Sequence, residues 1–153
     1  MKKMYVLGFA FSEDKSHVVL IKKLRPEWQK GSFNGVGGKV EKSDKDIYLA
    51  MTREFEEETG LKTEVENWHN FADMVFEDDI MGGGAVVHCF RMFNEKMFEC
   101  KTTEEEEIQI FCIDQNTKSE HPSIYGSGVI KNLLVLIPMA KDEDFEFCTL
   151  NIN

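Results

Sequence analysis

The chain has 153 residues, with 42% hydrophobic and 30% charged residues, only 3 Pro and 11 Gly, a composition that excludes a collagenous or disordered protein and fits one globular unit. No run approaches the ~18 apolar residues of a membrane helix, and Pro138 interrupts the longest candidate, Leu133 to Ala140. A net charge of −10, from 18 Lys+Arg against 28 Asp+Glu, argues against bulk nucleic acid or an anionic membrane as the main partner.

Residues 4–11 and 17–23 are apolar and rich in β-branched and aromatic types, and the polar Ser12–Ser16 between them predicts a hairpin. The first segment is short, lacks a small-residue cleavage site and reads as a strand rather than a signal peptide. A loop with Pro26 and Gly31 follows. Gly35, Gly37 and Gly38 then crowd a segment where a backbone can approach a ligand closely. Ser43, Asp44 or Asp46 can cap a helix that runs to Thr59 and stops at Gly60. Residues 61–77 read as extended and Asp78 to Gly84 as a glycine-rich loop. Ala85–Phe93, Met97–Lys101 and Ile108–Ile113 have strand-like composition, with a turn at Asn94–Lys96. Gly128–Ala140 predicts a second helix that Pro138 should end or kink, and Phe145–Leu150 a last strand. Strands outnumber helices without alternating with them, so the class is α+β with a mixed sheet.

The four cysteines (Cys89, Cys100, Cys112, Cys148) have no C-x-x-C spacing and read as reduced thiols of a cytoplasmic protein. The four histidines are scattered and receive no role. Charge is uneven along the chain: residues 1–45 carry ten Lys/Arg and five Asp/Glu, a net +5, which leaves −15 for the remainder. A small polyanion could be held between the two if divalent cations screened the acidic side.

The chemistry concentrates in the first helix. Glu54, Glu57 and Glu58 stand at i, i+3 and i+4, which puts three carboxylates on one helical face. Met51 and Phe55 mark an adjacent apolar arc that can dock the helix on a sheet. Like charges at this spacing cost a few tenths of a kcal/mol per pair, and a cation relieves them. Hard divalent ions, Mg2+ in particular, prefer carboxylate oxygens and share their remaining positions with water and phosphate. A Glu-rich face can equally be plain solvated surface. What favours the site is the joint pattern of glycine turn, capped helix, Arg53, three carboxylates and terminal Gly60.

Gly38-Lys39-Val40-Glu41 … Arg53-Glu54-Phe55-Glu56-Glu57-Glu58-Thr59-Gly60-Leu61 resembles the Nudix box, G-x5-E-x7-R-E-U-x-E-E-x-G-U with U a bulky aliphatic residue, here at about residues 38–61. The approach Trp28-Gln29-Lys30-Gly31-Ser32-Phe33-Asn34-Gly35-Val36-Gly37-Gly38 is similar to that of MutT-type enzymes. Two departures stand out: Asp44 takes the place of the first box Glu, and one residue is inserted before Arg53. Either Asp44 or Asp46 is then expected to cap the helix, unless one replaces the missing Glu. Phe55 stands where the family has an aliphatic residue.

The resemblance implies an α/β/α sandwich with a mixed sheet over a single domain, 1–153, and a Mg2+-dependent pyrophosphohydrolase, with Mn2+ as substitute. Its substrates would be (d)NTPs, including oxidised purines such as 8-oxo-dGTP, cleaved to monophosphate and pyrophosphate. Glu57 and Glu58 would bind metal, Glu54 would be a further ligand or the base, the Gly37 carbonyl would add a contact, and Arg53 would orient the glutamates. A further acid is expected from Glu104–Glu107, with Glu104 or Glu105 preferred. For substrate, the resemblance implies Asn34 at the base, with Gly38, Lys39, Lys23 and Arg25 toward phosphate. Asn34 can also be a turn residue beside Gly35, and Trp28 is expected to pin its loop to the core. The region Glu120–Gly126 lacks the acidic pair with which similar enzymes read 8-oxo-purines. Alternatives are hydrolysis of ADP-ribose or another nucleoside diphosphate derivative, and a non-catalytic nucleotide-binding module, which should have lost the metal glutamates. The partner is a small nucleotide, and the chain would act as a monomer or homodimer.

Overall fold

A computed structural model describes residues 2–77, 83–125 and 128–152. Lys3–Phe11 (β1) is buried on both faces from Val6 onward, the signature of a strand covered from two sides. Leu7, Phe9 and Phe11 face one apolar cluster, and Val6 and Ala10 face the other. His17–Lys22 (β2) continues the same character. The two strands pair antiparallel at Phe11 and Val18, in accord with the expected hairpin, and then diverge. Into the gap go Phe33–Asn34 (β3), which pairs with β2, and Val36–Lys39 (β4), which pairs with β1.

The rest of the sheet comprises His69–Phe76 (β5), Ala85–Phe93 (β6), Glu107–Cys112 (β7) and Cys148–Ile152 (β8). Strand order is β3-β2-β1-β6-β5-β8, with β4 against β1 and β7 against β2. The β1–β6 and β5–β8 pairs are parallel and the others antiparallel, so the sheet is mixed. Ile47–Thr59 (α1) covers one face with Ala50, Met51 and Phe55. Leu133–Lys141 (α2) covers the other with Leu133, Leu136, Ile137 and Ala140. No helix among the described residues is long and apolar enough to cross a membrane.

Five local expectations are revised. Glu95–Glu99 forms a 3-10 turn where Met97–Lys101 was expected to be a strand: Asn94 caps it by accepting from Lys96 N–H at 2.9 Å, and Met97 is its one buried residue. The extended segment 61–77 is broken by a turn at Val65–Asn67. The second helix begins at Leu133, because Gly128 and Ile130 spend their backbone groups on Phe33, through Phe33 N–H to Gly128 O at 2.8 Å and Ile130 N–H to Phe33 O at 2.9 Å. Pro138 does not end that helix; it lies with Leu134, whose carbonyl loses the N–H it would otherwise receive, on the exposed side. The last strand starts at Cys148, after a turn in which Phe145 N–H reaches Asp142 O. Of the glycine loop expected at 78–84, residues 78–82 lie outside the described residues.

Arg91 of β6 is only 6% exposed in a core face otherwise apolar. Its guanidinium donates to the carbonyls of Ala140 at 3.4 Å, Asp142 at 2.6 Å and Glu143 at 3.4 Å, where α2 ends and its dipole is negative. Arg91→Leu should therefore lower stability by about 1–3 kcal/mol, the cost of leaving such groups unpaired. The urea midpoint reads this, and an unchanged midpoint would show that the carbonyls find water instead.

Candidate active site

α1 presents the acidic face because its opposite side is committed to the core. Asp46 caps the N-terminus, accepting from Leu49 N–H at 2.9 Å, and Gly60 ends the helix in the left-handed region with φ 77°. Phe55 is fully buried and meets Trp68 edge-on, ring centroids 5.0 Å apart. This contact fixes the helix rotation, so Glu54 lies near the sheet while Glu57 points outward.

β4 brings the glycines beneath that face. A Cβ on Gly37 would stand 1.9 Å from the Val6 carbonyl oxygen of β1, so only glycine permits this pairing. A Cβ on Gly38 would stand 2.5 Å from the Glu54 carboxylate. The missing side chains let Glu54 settle against backbone, 8% exposed.

Arg53 organises the acids. Its Nε and Nη2 donate to the two Asp44 oxygens at 2.9 and 2.8 Å, the bidentate geometry that makes Arg–carboxylate pairs strong. Nη1 donates to Glu54 Oε1 at 3.0 Å and Glu57 Oε2 at 3.2 Å, Nη2 also reaches the Lys39 carbonyl at 3.2 Å, and Glu41 lies 3.7 Å from Nη1. The hydrogen bond from Arg53 holds Asp44 below its ordinary pKa. The two candidate acids of the inserted loop thus divide the work: Asp46 caps, and Asp44 anchors Arg53. Glu41 went unread in the sequence, although its place five residues before the cap is a signal for such a contact.

Glu58 is different. Its Oε2 is buried without a hydrogen-bond partner. Burial, reinforced by Glu104, Glu106 and Glu54, pushes its pKa up to about 7; burial also raises Glu54. The loop carrying Glu104–Glu106 is docked on the end of α1 through Lys101 N–H to Thr59 O at 3.1 Å and through Thr103 Oγ1, which donates to the Glu57 carbonyl. Glu104 and Glu105 are exposed, whereas Glu106 is held: it accepts from Lys23 Nζ at 3.2 Å and Leu24 N–H at 2.6 Å. Arg25 pairs with Glu105 at 3.6 Å in the open. The two cations read as phosphate contacts are thus matched to two acids from the far side of the chain.

Asn34 is engaged within its own turn, with Oδ1 accepting from Gly35 N–H at 2.8 Å and Nδ2 donating to Gln29 Oε1 at 3.2 Å. Lys39 is exposed. Trp28 is 62% exposed, so the expectation that it pins its loop to the core is wrong; Pro26 N-caps a single 3-10 turn with no buried residue.

Among the described residues, no three His, Cys, Asp or Glu side chains already stand as a ready metal cage, because Arg53 holds Glu54 and Glu57. The donor set nevertheless fits a hard divalent cation: all oxygen, several carboxylates, an unpartnered buried Glu58 oxygen and a glycine cradle.

A mixed sheet between two helices, with a glycine strand beneath an Arg-Glu helix, defines the Nudix fold. The NUDIX domain model matches residues 1–127, and the chain belongs to the Nudix family. Its structure is similar to a MutT/nudix family protein from Enterococcus faecalis, with TM-score 0.69 at 15% identity over 94% of this chain and 63% of that one; the chain thus spans less than two thirds of that protein. It is also similar to MutT from a study of Aliivibrio salmonicida and Vibrio cholerae, TM-score 0.61, 18% identity, 90% and 94% covered. A third likeness is the NUDIX domain of Shewanella oneidensis NrtR complexed with ADP ribose, TM-score 0.63, 15% identity, 92% and 87% covered. A comparison with curated protein sequences finds no match.

Two outcomes follow from this geometry. Asp46→Ala should cost about 0.5–2 kcal/mol of stability, as a lost cap does, with turnover kept, while Asp44→Ala should lose turnover out of proportion to stability. Equal profiles for the two variants in melting and rate measurements would refute the division. Separately, the Glu58 carboxyl titrates near 4.5 when unfolded and about 7 when folded without metal, so the folded state holds the extra proton between these values. Metal-free stability should then fall as pH rises from 4.5 to 7. Glu58→Gln should lose less over this range in thermal melts; parallel curves for the two proteins would contradict the assignment.

Proposed function

We propose that this Nudix hydrolase cleaves nucleoside triphosphates, (d)NTPs, to a monophosphate and pyrophosphate, with Mg2+ or Mn2+ as the cation. The observation that carries the reading is the unpartnered Glu58 oxygen, buried beside Glu54, Glu104 and Glu106 at the helix end facing the glycine strand. Carboxylates crowded this way are stabilised by a divalent ion and by the polyphosphate it brings.

Glu57 and Glu58 would hold the ion, with the Gly37 carbonyl and Glu104 as additional oxygens. When bound, the cation neutralises pyrophosphate charge and acidifies a water poised for in-line attack on phosphorus. Glu54 is either a further ligand or the base that takes the water's proton; burial raises its pKa in the direction that makes a carboxylate a better acceptor. Arg53, fixed by Asp44, keeps Glu54 and Glu57 oriented. On the substrate side, Gly38 would lie toward the phosphates, with the Glu54 carboxylate in the space a side chain would take. Lys39 is free in solvent to meet them. Lys23 and Arg25 would reach phosphate by exchanging Glu106 and Glu105 for it. Asn34 reads the base if its amide turns out of the contact with Gln29. α2 and β8, beyond the matched residues, share the same sheet and core, which supports treating 1–153 as one domain. Four free thiols fit a cytoplasmic setting.

The test is a screen of (d)NTPs, 8-oxo-dGTP and ADP-ribose with Mg2+, detecting monophosphate and pyrophosphate. Triphosphates should yield both products, and Glu57→Gln, at an exposed position, should cut the rate by about 100-fold or more while the melt stays unchanged. Cleavage confined to ADP-ribose would replace this substrate class with a diphosphate derivative, and undiminished turnover in the variant would remove Glu57 from the metal site.

A further inference from the structure

At the other end of β2 from Lys22 and Lys23, roughly 17 Å along the strand at its usual rise, stands a second polar constellation. His17, the first residue of β2, is 7% exposed. Its Nε2 lies 2.7 Å from the hydroxyl of Ser119, an exposed residue of the loop after β7. Its Nδ1 lies 2.7 Å from the hydroxyl of Ser16.

The proton positions follow from counting donors. The Asp14 carboxylate can only accept, and Ser16 Oγ stands 2.5 Å from its Oδ1, so the single Ser16 proton goes there. Ser16 can then only accept from His17, which places a hydrogen on Nδ1 and a lone pair on Nε2. On the far side, Ser119 Oγ already accepts from His121 N–H at 3.1 Å. Its own proton is therefore directed at His17 Nε2. Ser12 steadies the arrangement, donating to the same Asp14 oxygen at 2.8 Å and accepting from His17 N–H at 3.0 Å. Burial, with His121 nearby, favours the uncharged imidazole.

A hydroxyl hydrogen-bonded to an imidazole whose other nitrogen is held by a third group is the arrangement that activates a nucleophile. Here the holder is a serine backed by a carboxylate. The hydroxyl opens on a cavity of about 550 Å³ lined by His17, Phe98, Lys118, Ser119, Glu120 and His121. Phe98 stacks on His121, centroids 5.8 Å apart at 27°, and meets His17 edge-on at 5.2 Å, which supplies an apolar wall beside the hydroxyl.

We propose that Ser119 is the nucleophile of a second site, separate from the acidic helix, that takes small carboxylic esters with an apolar acyl group. Ser119 Oγ bonds to the acyl carbon as the bond to the leaving alkoxide breaks; the serine proton passes to His17 Nε2 and from there to the departing oxygen. Water then attacks the acyl-serine with His17 taking its proton, which returns to Ser119 as the acid is released. Asp14 and Ser16 hold the imidazole in the required tautomer throughout.

The probe is a fluorophosphonate, which a hydroxyl so activated displaces at phosphorus with loss of fluoride, followed by peptide mass spectrometry. Ser119 in the folded protein should label at least about 100-fold faster than in the urea-unfolded chain, the lower end of what a positioned base contributes. Asp14→Asn and His17→Gln should bring that rate down toward the unfolded one. Ser119→Ala should abolish labelling at this position and leave nucleotide turnover intact. Equal folded and unfolded rates for the wild-type chain would overturn the proposal whether or not the variants fold, and so would a fast rate that survives both substitutions. A failure here leaves the nucleotide reading untouched, because the two sites share no residue.

Discussion

The contact on which the rest of the site depends is the grip of Arg53 on Asp44. Three glutamates on one helical turn and a fourth acid from the loop repel one another, and a cation built into the face relieves that repulsion. Arg53 is that cation, and it has little freedom of its own. Its Nε and Nη2 are spent on Asp44, so only Nη1 is left to hold Glu54 and Glu57 together. Glu58 falls outside its reach and is left with a buried, unpaired oxygen. Neighbouring acids on one face thus differ: Glu54 and Glu57 share a hydrogen bond from Arg53, and Glu58 has none from it.

That difference rests on the sheet. β1 is apolar on both faces because helices cover both, and its early parting from β2 opens the slot that β4 fills. Gly37 lets the strand lie so close to β1, and Gly38 leaves room for the Glu54 carboxylate above it. On the helix side, the Phe55–Trp68 contact sets which acids face that strand. An aromatic at this position, where the box has an aliphatic residue, is accommodated because Trp68 arrives edge-on and Thr63 takes its indole N–H at 2.8 Å.

Much of this was legible from local pattern. The i, i+3, i+4 acids, a cap among Ser43, Asp44 and Asp46, and the Gly60 stop are all written within about one helix length, where spacing determines geometry. The strand Ala85–Phe93 was read with the bounds it has. What escaped is non-local. Lys23 and Glu106 are 83 residues apart, and no periodicity links them, so each looked like solvated surface or a free ligand. Glu104 or Glu105 was preferred within Glu104–Glu107, and that Glu106 is the one held was not legible, since it depends on how Thr103 docks the loop on α1. Trp28 looked like a core residue by type and is exposed because its loop turns outward before any apolar partner is met. Asp44 could be assigned to a cap or a pair only once the inserted residue had a shape.

The proposed metal site requires that a divalent cation displace whatever proton burial, by raising the Glu58 carboxyl to about 7, retains there. Proton release on adding Mg2+ to weakly buffered protein near pH 6.5 measures this directly. The structure predicts a release that shrinks as the pH is raised well above 7, where the carboxyl is already ionised, and that is lost in Glu58→Gln. Mg2+ binding without proton release at that pH, or with the same release in the variant, would contradict it.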